Sequence, residues 1–232
     1  NFLFNLVLYS IVYNTPMKEN WQEQLQTLLK CDLKTLYPLA RSINRKLEFY
    51  VGPTNSGKTY NAMQKLKEAN SGLYLAPLRL LALEGYEDLK ESKINASLIT
   101  GEEQILDIEA SHVCSTIEML DFDLDVDVAV IDEVQMLEDD DRGWAWVNAI
   151  IGCPAKKIIM TGSVNALDAV KKIAAYLDED LEVIKHTRKN ELKILDKWTS
   201  LEKLEDGTAL IAFSRSDVLK LKQRLQKKYV VS

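Results

Sequence analysis

From residue 46 onward, short apolar runs alternate with longer stretches in which apolar residues recur at helical spacing. Short runs rich in aliphatic and aromatic residues are typical of buried strands, whereas an apolar residue every three or four positions is typical of an amphipathic helix. The pattern predicts strands at 46–51, 73–76, 94–99, 111–116, 127–131, 157–160 and 181–184. Between them it predicts helices at 60–69, 80–89, 143–151 and 166–177.

The strand at 127–131 is the most informative of these runs, because Val128 to Ile131 contains no polar residue. Strands covered on both faces of a parallel sheet have this composition. Alternating strands and helices predict an α/β domain with a mostly parallel central sheet and right-handed crossovers.

The regions before and after the alternating strands and helices carry weaker structural signals. Residues 1–13 are hydrophobic but too short to span a bilayer, so we expect a packed helix and no membrane partner. Residues 21–36 have the spacing of an amphipathic helix. A strand at 209–213 and a helix at 217–228 indicate the start of a second α/β domain. The predicted division is a helical segment at 1–45, the main domain at 46–190, and a linker with the start of the second domain at 191–232.

Composition restricts the class of protein. The chain has 232 residues and 47% hydrophobic content, which is enough for a full core. Its net charge of −6 argues against a strongly polybasic binder, although a local basic groove could still bind nucleic acid. The three cysteines are far apart and form no C-x-x-C pair, so we expect buried thiols rather than a zinc site or disulfides.

The residues after the first predicted strand match the phosphate-binding pattern G-x-x-x-x-G-K-[ST] at every required position. Gly57 lets backbone N–H groups approach a polyphosphate, Lys58 adds a positive charge, and Thr59 can place its hydroxyl on Mg²⁺. The N-terminus of the following helix favours the same anion. The context of strand, loop and helix predicts an ATP site formed by Gly52, Pro53, Thr54, Asn55, Ser56, Gly57, Lys58 and Thr59.

An acidic pair, Asp132 and Glu133, follows the apolar strand at 127–131. A carboxylate at this place in a P-loop enzyme binds magnesium, so Asp132 would hold Mg²⁺ opposite Thr59. Glu133 would act as the general base that activates the attacking water. Gln135 has two interpretations: it couples the ATP site to a second domain, or it caps a turn.

Thr161, Gly162 and Ser163 follow the strand at 157–160. Small hydroxyl residues there could sense the γ-phosphate and couple its loss to movement. Alternatively, the segment is an ordinary turn in which Ser163 caps the next helix. Together, the three motifs resemble those of the first RecA-like domain of a superfamily 2 helicase.

Several further segments make the resemblance specific. The order of GPTNSGKTY, APLRLLALE, TGEE, STIEM, DEVQM, RGWAWVNAIIG and ALIAFSR resembles that of the mitochondrial-degradosome RNA helicase family and its bacterial relatives. The RGWAW block distinguishes this family from other P-loop proteins better than the phosphate-binding loop does. The resemblance extends from residue 47 to the C-terminus. It implies two RecA-like domains with ATP between them and nucleic acid across the top.

The resemblance also implies an activity and a set of nucleic-acid contacts. The implied activity is ATP-dependent unwinding or translocation on single-stranded or 3′-tailed RNA, with some activity on DNA, often beside an exoribonuclease partner. An arginine can neutralise a phosphate, while threonines and backbone amides can bind the sugar-phosphate chain without reading bases. The residues that match the nucleic-acid blocks are Pro77, Leu78, Arg79, Thr100, Gly101 and Thr116.

Other interpretations of these residues stay open. Pro77 could simply end a strand, and Thr116 could cap a helix. Trp144 and Trp146 could stack on bases, but their spacing places them on different helix faces, so we expect at least one of them in the core. The whole chain could instead be a DNA-directed superfamily 2 translocase, or a P-loop NTPase that acts on protein or small molecules.

Two departures from the family pattern affect the prediction. The form of Thr161-Gly162-Ser163 favours a bacterial, cytoplasmic relative, and a eukaryotic protein would belong in the mitochondrial matrix. The chain lacks an initiator Met, ends as another strand begins, and lacks the later blocks with their arginines. Arginine fingers contribute ~10³–10⁵ in rate. We therefore expect this 232-residue chain to bind nucleotide, hydrolyse it poorly and fail to unwind RNA.

Overall fold

The computed structural model describes residues 32–188 and 196–231. The chain divides into two compact units, Asn1–Lys189 and Asn190–Ser232. The predicted segment at 1–13 and most of the predicted helix at 21–36 lie outside the described residues. The end of that helix, Leu33–Leu36, is a single 3-10 turn.

The described part of the first unit is built on one sheet with the strand order β4-β3-β5-β2-β6-β7-β1-β8. Every neighbouring pair is parallel except β3 and β4, which confirms the predicted mostly parallel sheet. Only the two-residue β4 was not predicted, because both of its residues are exposed and its pattern is not apolar. The strands are β1 Lys46–Val51, β2 Gly72–Ala76, β3 Ala96–Ile99, β4 Gln104–Ile105, β5 His112–Thr116, β6 Val126–Ile131, β7 Ala155–Gly162 and β8 Leu181–Lys185.

Helices cover both faces of this sheet. They are α1 Pro38–Ser42, α2 Lys58–Lys67, α3 Arg79–Glu91, α4 Gly143–Gly152 and α5 Leu167–Leu177. Short 3-10 helices lie at Ile117–Met119, Val134–Glu138 and Val164–Ala166. No helix of the described residues is long and apolar enough to cross a membrane.

Alternate residues of the central strands pack in two separate cores. Leu73 and Leu75 of β2 pack in the core that contains the apolar residues of α4 and α5. Tyr74 and Ala76 pack in the core that contains those of α2 and α3. Successive strand residues point to opposite faces, and both faces are covered, so the whole strand has to be apolar. This explains the continuous runs in the sequence.

A buried ionic network ties the start of the domain to the C-terminal end of α4. Arg45 binds both carboxylate oxygens of Glu179, and it also donates to the carbonyl oxygens of Cys153 and Ile150 at 2.9 and 3.0 Å. Arg41 binds Glu179 as well. The last carbonyl groups of a helix have no partner within the helix, and these guanidinium groups satisfy them.

The second unit contains, in its described residues, a 3-10 helix at Leu201–Lys203 and α6 at Arg215–Leu225. The predicted helix is thus confirmed, with a start two residues earlier, and the Ser214 side chain accepts from Asp217 N at its beginning. The predicted strand at 209–213 is wrong, since no strand forms there and Phe213 is fully exposed. A strand needs a hydrogen-bonded neighbour, which an apolar sequence run does not supply by itself.

We predict that Arg45→Met destabilises the first unit by about 3 kcal/mol, because it leaves Glu179 and two helix carbonyls partly unpaired in the interior. The free energy of unfolding from urea titration measures this. Lys172→Met serves as the control, since its pair with Asp168 is exposed and should contribute almost nothing. Equal effects of the two substitutions would contradict the assigned importance of the network.

Candidate functional site

The carboxyl ends of the parallel strands lie at one edge of the sheet, where open α/β sheets bind their ligands. The strand order divides this edge into two halves. The neighbours β6, β7 and β1 end in the acidic pair, the Thr161–Ser163 segment and the phosphate-binding loop. The neighbours β3, β5 and β2 end in the three predicted nucleic-acid blocks. Motifs far apart in the sequence therefore lie side by side.

The loop between β1 and α2 has a backbone that accepts few other residues. Gly57, the N-cap of α2, has φ +80°, and Asn55 has φ 58°. A Cβ at Gly52 would lie 2.4 Å from the carbonyl oxygen of His186. The Ser56 hydroxyl is buried and has no hydrogen-bond partner among the described residues. A polar cradle at a helix N-terminus with an unused buried hydroxyl suits a phosphate group.

Lys58, the first residue of α2, directly follows this loop. Its ammonium group donates to the carbonyl oxygen of Pro53 at 2.7 Å. Burial lowers the pKa of Lys58, and the nearby positive charge of Arg188 lowers it further, while Glu133 and Asp132 act in the opposite direction. A partly desolvated ammonium group gains more from an anionic ligand than one in water does.

Asp132 is the most connected side chain of the site and is only 3% exposed. Its Oδ1 accepts from the Thr59 hydroxyl at 3.0 Å and from the Thr161 hydroxyl, and its Oδ2 accepts from the Tyr74 hydroxyl at 3.0 Å. The Trp146 indole N–H donates to its backbone carbonyl oxygen at 2.9 Å. These neutral donors hold the carboxylate in place without neutralising its charge.

Glu133 and Gln135 link the acidic motif to the segment at the end of β7. Glu133 has a left-handed backbone, with φ 54°, and its carboxylate accepts from the Gln135 amide. The Gln135 oxygen accepts from Ser163 N at 3.0 Å. Gln135 therefore bridges two motifs. The Ser163 side chain makes no capping bond to the following 3-10 helix, so the alternative interpretation of Ser163 is not supported.

The donor set fits a magnesium ion that also binds phosphate. No cluster of three or more His, Cys, Asp or Glu side chains that could hold a metal ion occurs in residues 32–188 or 196–231. Mg²⁺ commonly takes one or two protein oxygens and completes its shell with phosphates and water. The Thr59 hydroxyl and the Asp132 carboxylate, which lie in contact, match that requirement.

A groove of about 610 Å³ lies beside these residues, between α2 and α3. Thr59, Tyr74, Gly85, Asp132 and Glu133 are among the residues that line it. The groove is acidic, since it is also lined by Glu84, Glu87, Asp88 and Glu91. Negative charge disfavours an unpaired polyphosphate there, so the expected place of the phosphates is the loop at 52–59.

The nucleic-acid blocks differ in how they present their side chains. Arg79, the first residue of α3, is half exposed and paired with the exposed Glu102, and Leu78 is 55% exposed. Thr116 lies at the end of β5, and its side chain makes no capping bond.

Thr100 has a different environment from the other predicted nucleic-acid residues. Only 2% of it is exposed, and its hydroxyl bonds to the backbone of Glu103 in both directions. Its side chain shapes the loop. Within that block, solvent reaches Gly101 and Glu102, which are exposed.

Two contacts of the site were not predicted from the sequence. Tyr74 was assigned only to a strand, although its hydroxyl binds Asp132. Arg188 donates to the Thr54 carbonyl and hydroxyl oxygens at 2.9–3.0 Å, far from Thr54 in the sequence. Trp146 is fully buried, which confirms that at least one of the two tryptophans belongs to the core. The RGWAW block was the signal that pointed to this region.

This sheet carries a phosphate-binding loop at the end of β1 and an acidic pair at the end of β6, with β7 between them, and defines a RecA-like P-loop NTPase domain. The sequence model of one such family, described as the DEXQ-box helicase domain of Suv3, matches residues 34–186. The match covers about two thirds of the chain, so the chain belongs to the Suv3 DEXQ-box helicase-domain family.

The chain is similar to full proteins as well. It is 42% identical over 195 residues to "ATP-dependent RNA helicase SUV3 homolog, mitochondrial" of Caenorhabditis elegans, covering 82% of this chain and 27% of that protein. It is 40% identical over 195 residues to "ATP-dependent RNA helicase SUPV3L1, mitochondrial" of Gallus gallus, covering 82% and 25%. The chain thus spans about a quarter of the length of the curated relatives it matches.

Among solved structures, the Pyrococcus furiosus Hef helicase domain is similar at a TM-score of 0.43 and 19% identity, covering 69% of this chain and 39% of that one. The fold assignment above rests on strand order and the site rather than on this similarity.

We predict that Tyr74→Phe lowers the free energy of unfolding by about 1–2 kcal/mol, because Oδ2 of the buried Asp132 loses its hydroxyl donor. Urea titration measures the change. Tyr60→Phe is the matched control, since Tyr60 lines the same groove but is 67% exposed. If both substitutions were neutral, the Tyr74 hydroxyl would not be holding Asp132.

Proposed function

We propose that the full-length protein is an ATP-dependent RNA helicase or translocase, in which this chain supplies the ATP-binding RecA-like domain. The observation that carries the proposal is the divided edge of the sheet. One half collects the phosphate-binding loop and the acidic pair, and the adjacent half collects the blocks expected to bind a sugar-phosphate chain. The names of the similar proteins support the same activity.

In the ATP half, the loop at 52–59 would bind the phosphates through its backbone amides, and Lys58 would neutralise their charge. Thr59 and Asp132 would hold Mg²⁺, which supplies charge neutralisation at the transferring phosphoryl group. Glu133 would take the proton of the attacking water. Gln135, bonded to both Glu133 and Ser163, would couple the state of this site to the segment Thr161–Ser163.

In the RNA half, the exposed Arg79 would neutralise a phosphate, in exchange for its present pair with Glu102. The backbone N–H groups of Leu78 and Gly101 and the hydroxyl of Thr116 would bind sugar and phosphate oxygens. Pro77 has no N–H, and its carbonyl oxygen accepts from Arg142, so it would only position this segment. Contacts of this kind are independent of base sequence, as a translocating enzyme requires.

The proposal extends to partner and location. The form of Thr161–Ser163 favoured a bacterial relative, but the similar proteins are named mitochondrial, which favours the mitochondrial matrix. An exoribonuclease is the proposed partner, because degradation of the displaced strand would make unwinding irreversible.

The first test is ATP hydrolysis by the full-length protein with and without single-stranded RNA. We expect RNA to raise the rate, and we expect Lys58→Ala and Glu133→Gln each to lower it by ~10²–10⁴-fold. Lys58→Ala removes the positive charge that neutralises the phosphates, and Glu133→Gln removes the general base. Glu133→Gln should retain ATP binding, whereas Lys58→Ala should lose most of it.

Lys67→Ala is the control for Lys58→Ala, because it changes a lysine of the same helix that pairs with Asp88 instead. Rapid hydrolysis that requires Lys58 and Glu133 but is not stimulated by any nucleic acid would support the ATP site and overturn the RNA helicase proposal.

The second test is single-stranded RNA binding at several salt concentrations. Arg79→Ala should weaken binding several-fold and reduce the slope of log affinity against log salt by about 0.7, the value for one phosphate contact on a single strand. Thr116→Ala should weaken binding without changing the slope. Glu102→Gln should tighten binding, because it removes the carboxylate that competes for Arg79.

Lys90→Ala is the matched control, since Lys90 lies at the other end of the same helix α3 and pairs with Asp107. Unchanged RNA binding in both Arg79→Ala and Thr116→Ala would favour a P-loop NTPase without a nucleic-acid role. Tighter binding and stronger stimulation by DNA would favour a DNA translocase.

A further inference from the structure

Arg142 lies between the two halves of the sheet edge. Its Nη2 donates to the carbonyl oxygen of Pro77 at 2.6 Å, and its Nε and Nη2 bind Glu118 Oε1 at 2.8 and 2.7 Å. Pro77 follows β2, and Glu118 lies in the 3-10 helix that follows β5. One guanidinium group therefore holds two of the segments proposed to bind RNA.

The same side chain contacts the ATP half through Trp146. The Arg142 guanidinium carbon lies 5.5 Å from the centre of the Trp146 ring. The Trp146 N–H in turn donates to the carbonyl oxygen of Asp132 at 2.9 Å, and the indole is fully buried. Arg142, Pro77, Glu118 and Trp146, here called the Arg142 bridge, thus form a continuous path from the RNA segments to the magnesium-binding residue.

The local backbone places Arg142 firmly. Its N–H donates to Asp139 Oδ1 at 2.8 Å, just before α4 begins at Gly143. A Cβ at Gly143 would lie 2.5 Å from the Leu137 carbonyl oxygen, so the close approach of this turn to the acidic motif requires glycine. The Arg-Gly-Trp-x-Trp block therefore places a planar guanidinium group over an indole that holds Asp132.

We propose that Arg142 is a positioning residue that couples RNA binding at the ends of β2 and β5 to the geometry of Asp132 at the ATP site. The inference rests on the proposed function. RNA that moves the Pro77 or Glu118 segment changes the bonds of the guanidinium group, and its contact with Trp146 transmits that change to the Asp132 backbone. Coupling of this kind requires a difference in contact between the bound and free states, which a side chain shared by both halves can supply.

The experiment measures the rate of ATP hydrolysis by the full-length protein with saturating single-stranded RNA and without RNA. The first rate divided by the second is the stimulation ratio. We expect Arg142→Gln to lower the ratio about tenfold, within the usual range for coupled sites, while hydrolysis without RNA stays near wild type. RNA binding should also lose its dependence on a non-hydrolysable ATP analogue. Arg142→Lys keeps the charge but not the planar fork, so it should recover only part of the ratio.

Arg41→Gln is the matched control. Arg41 is also a partly buried arginine that binds one carboxylate and one carbonyl group, but it does so at the opposite end of α4. A fall in the ratio with Arg142→Gln but not with Arg41→Gln supports the proposal. Equal falls in both, or a fall of basal hydrolysis by the same factor, would reduce Arg142 to a structural role and overturn it.

Glu118→Gln covers the case in which Arg142→Gln does not fold. It weakens the charged half of the bridge and leaves the stacking on Trp146, so a several-fold fall in the ratio supports the proposal and a wild-type ratio overturns it. A wild-type protein that RNA does not stimulate would overturn the proposed function, and this inference with it. A stimulated wild type with wild-type-like variants overturns this inference alone.

Discussion

The constraint around which this domain is arranged is a buried carboxylate, that of Asp132, which forms no ion pair with a lysine or arginine among the described residues. Asp132 lies at the end of a central strand, where a negative charge is costly unless hydrogen bonds compensate it. Hydroxyl groups from α2, β2 and β7 and the N–H of Glu133 all donate to it. These bonds stabilise the charge without cancelling it, so the carboxylate remains available to a cation. The elements α2, β2, β6 and β7 are thereby held together around the Asp132 carboxylate.

The parallel sheet makes this convergence possible. Parallel strands present their carboxyl ends at the same edge, and the order of the strands decides which motifs become neighbours. Placing β7 between β1 and β6 brings Thr161 against Asp132, and placing β2 beside β6 brings Tyr74 against the same carboxylate. Gly85 of α3 lies against the ring of Tyr74, where a Cβ would come within 2.5 Å of a ring carbon. The helix α3, which begins at Arg79, therefore packs directly on the tyrosine that donates to Asp132.

Electrostatics distinguishes the phosphate-binding loop from the groove beside it. Lys58 and Arg188 bring positive charge to the phosphate-binding loop, whereas the neighbouring groove between α2 and α3 is lined by carboxylates. An overall charge of −6 is therefore compatible with binding of anions, since the charge that matters is the one at the loop. Arg79 is paired with Glu102, which makes the first proposed RNA contact an exchange of partners.

The sequence by itself determined the α/β class, seven of the eight described strands and the phosphate-binding and acidic motifs. These depend on local composition, on alternation and on residue spacing within one loop. Tertiary structure alone decided which side chains meet, because contacts such as Tyr74 with Asp132 and Arg142 with Pro77 depend on strand order and register. It also decided that Thr100 is buried and bonded to the Glu103 backbone, so that its side chain shapes the loop. The apolar run at 209–213 shows the same limit, since a β pattern becomes a strand only where another strand supplies the hydrogen bonds.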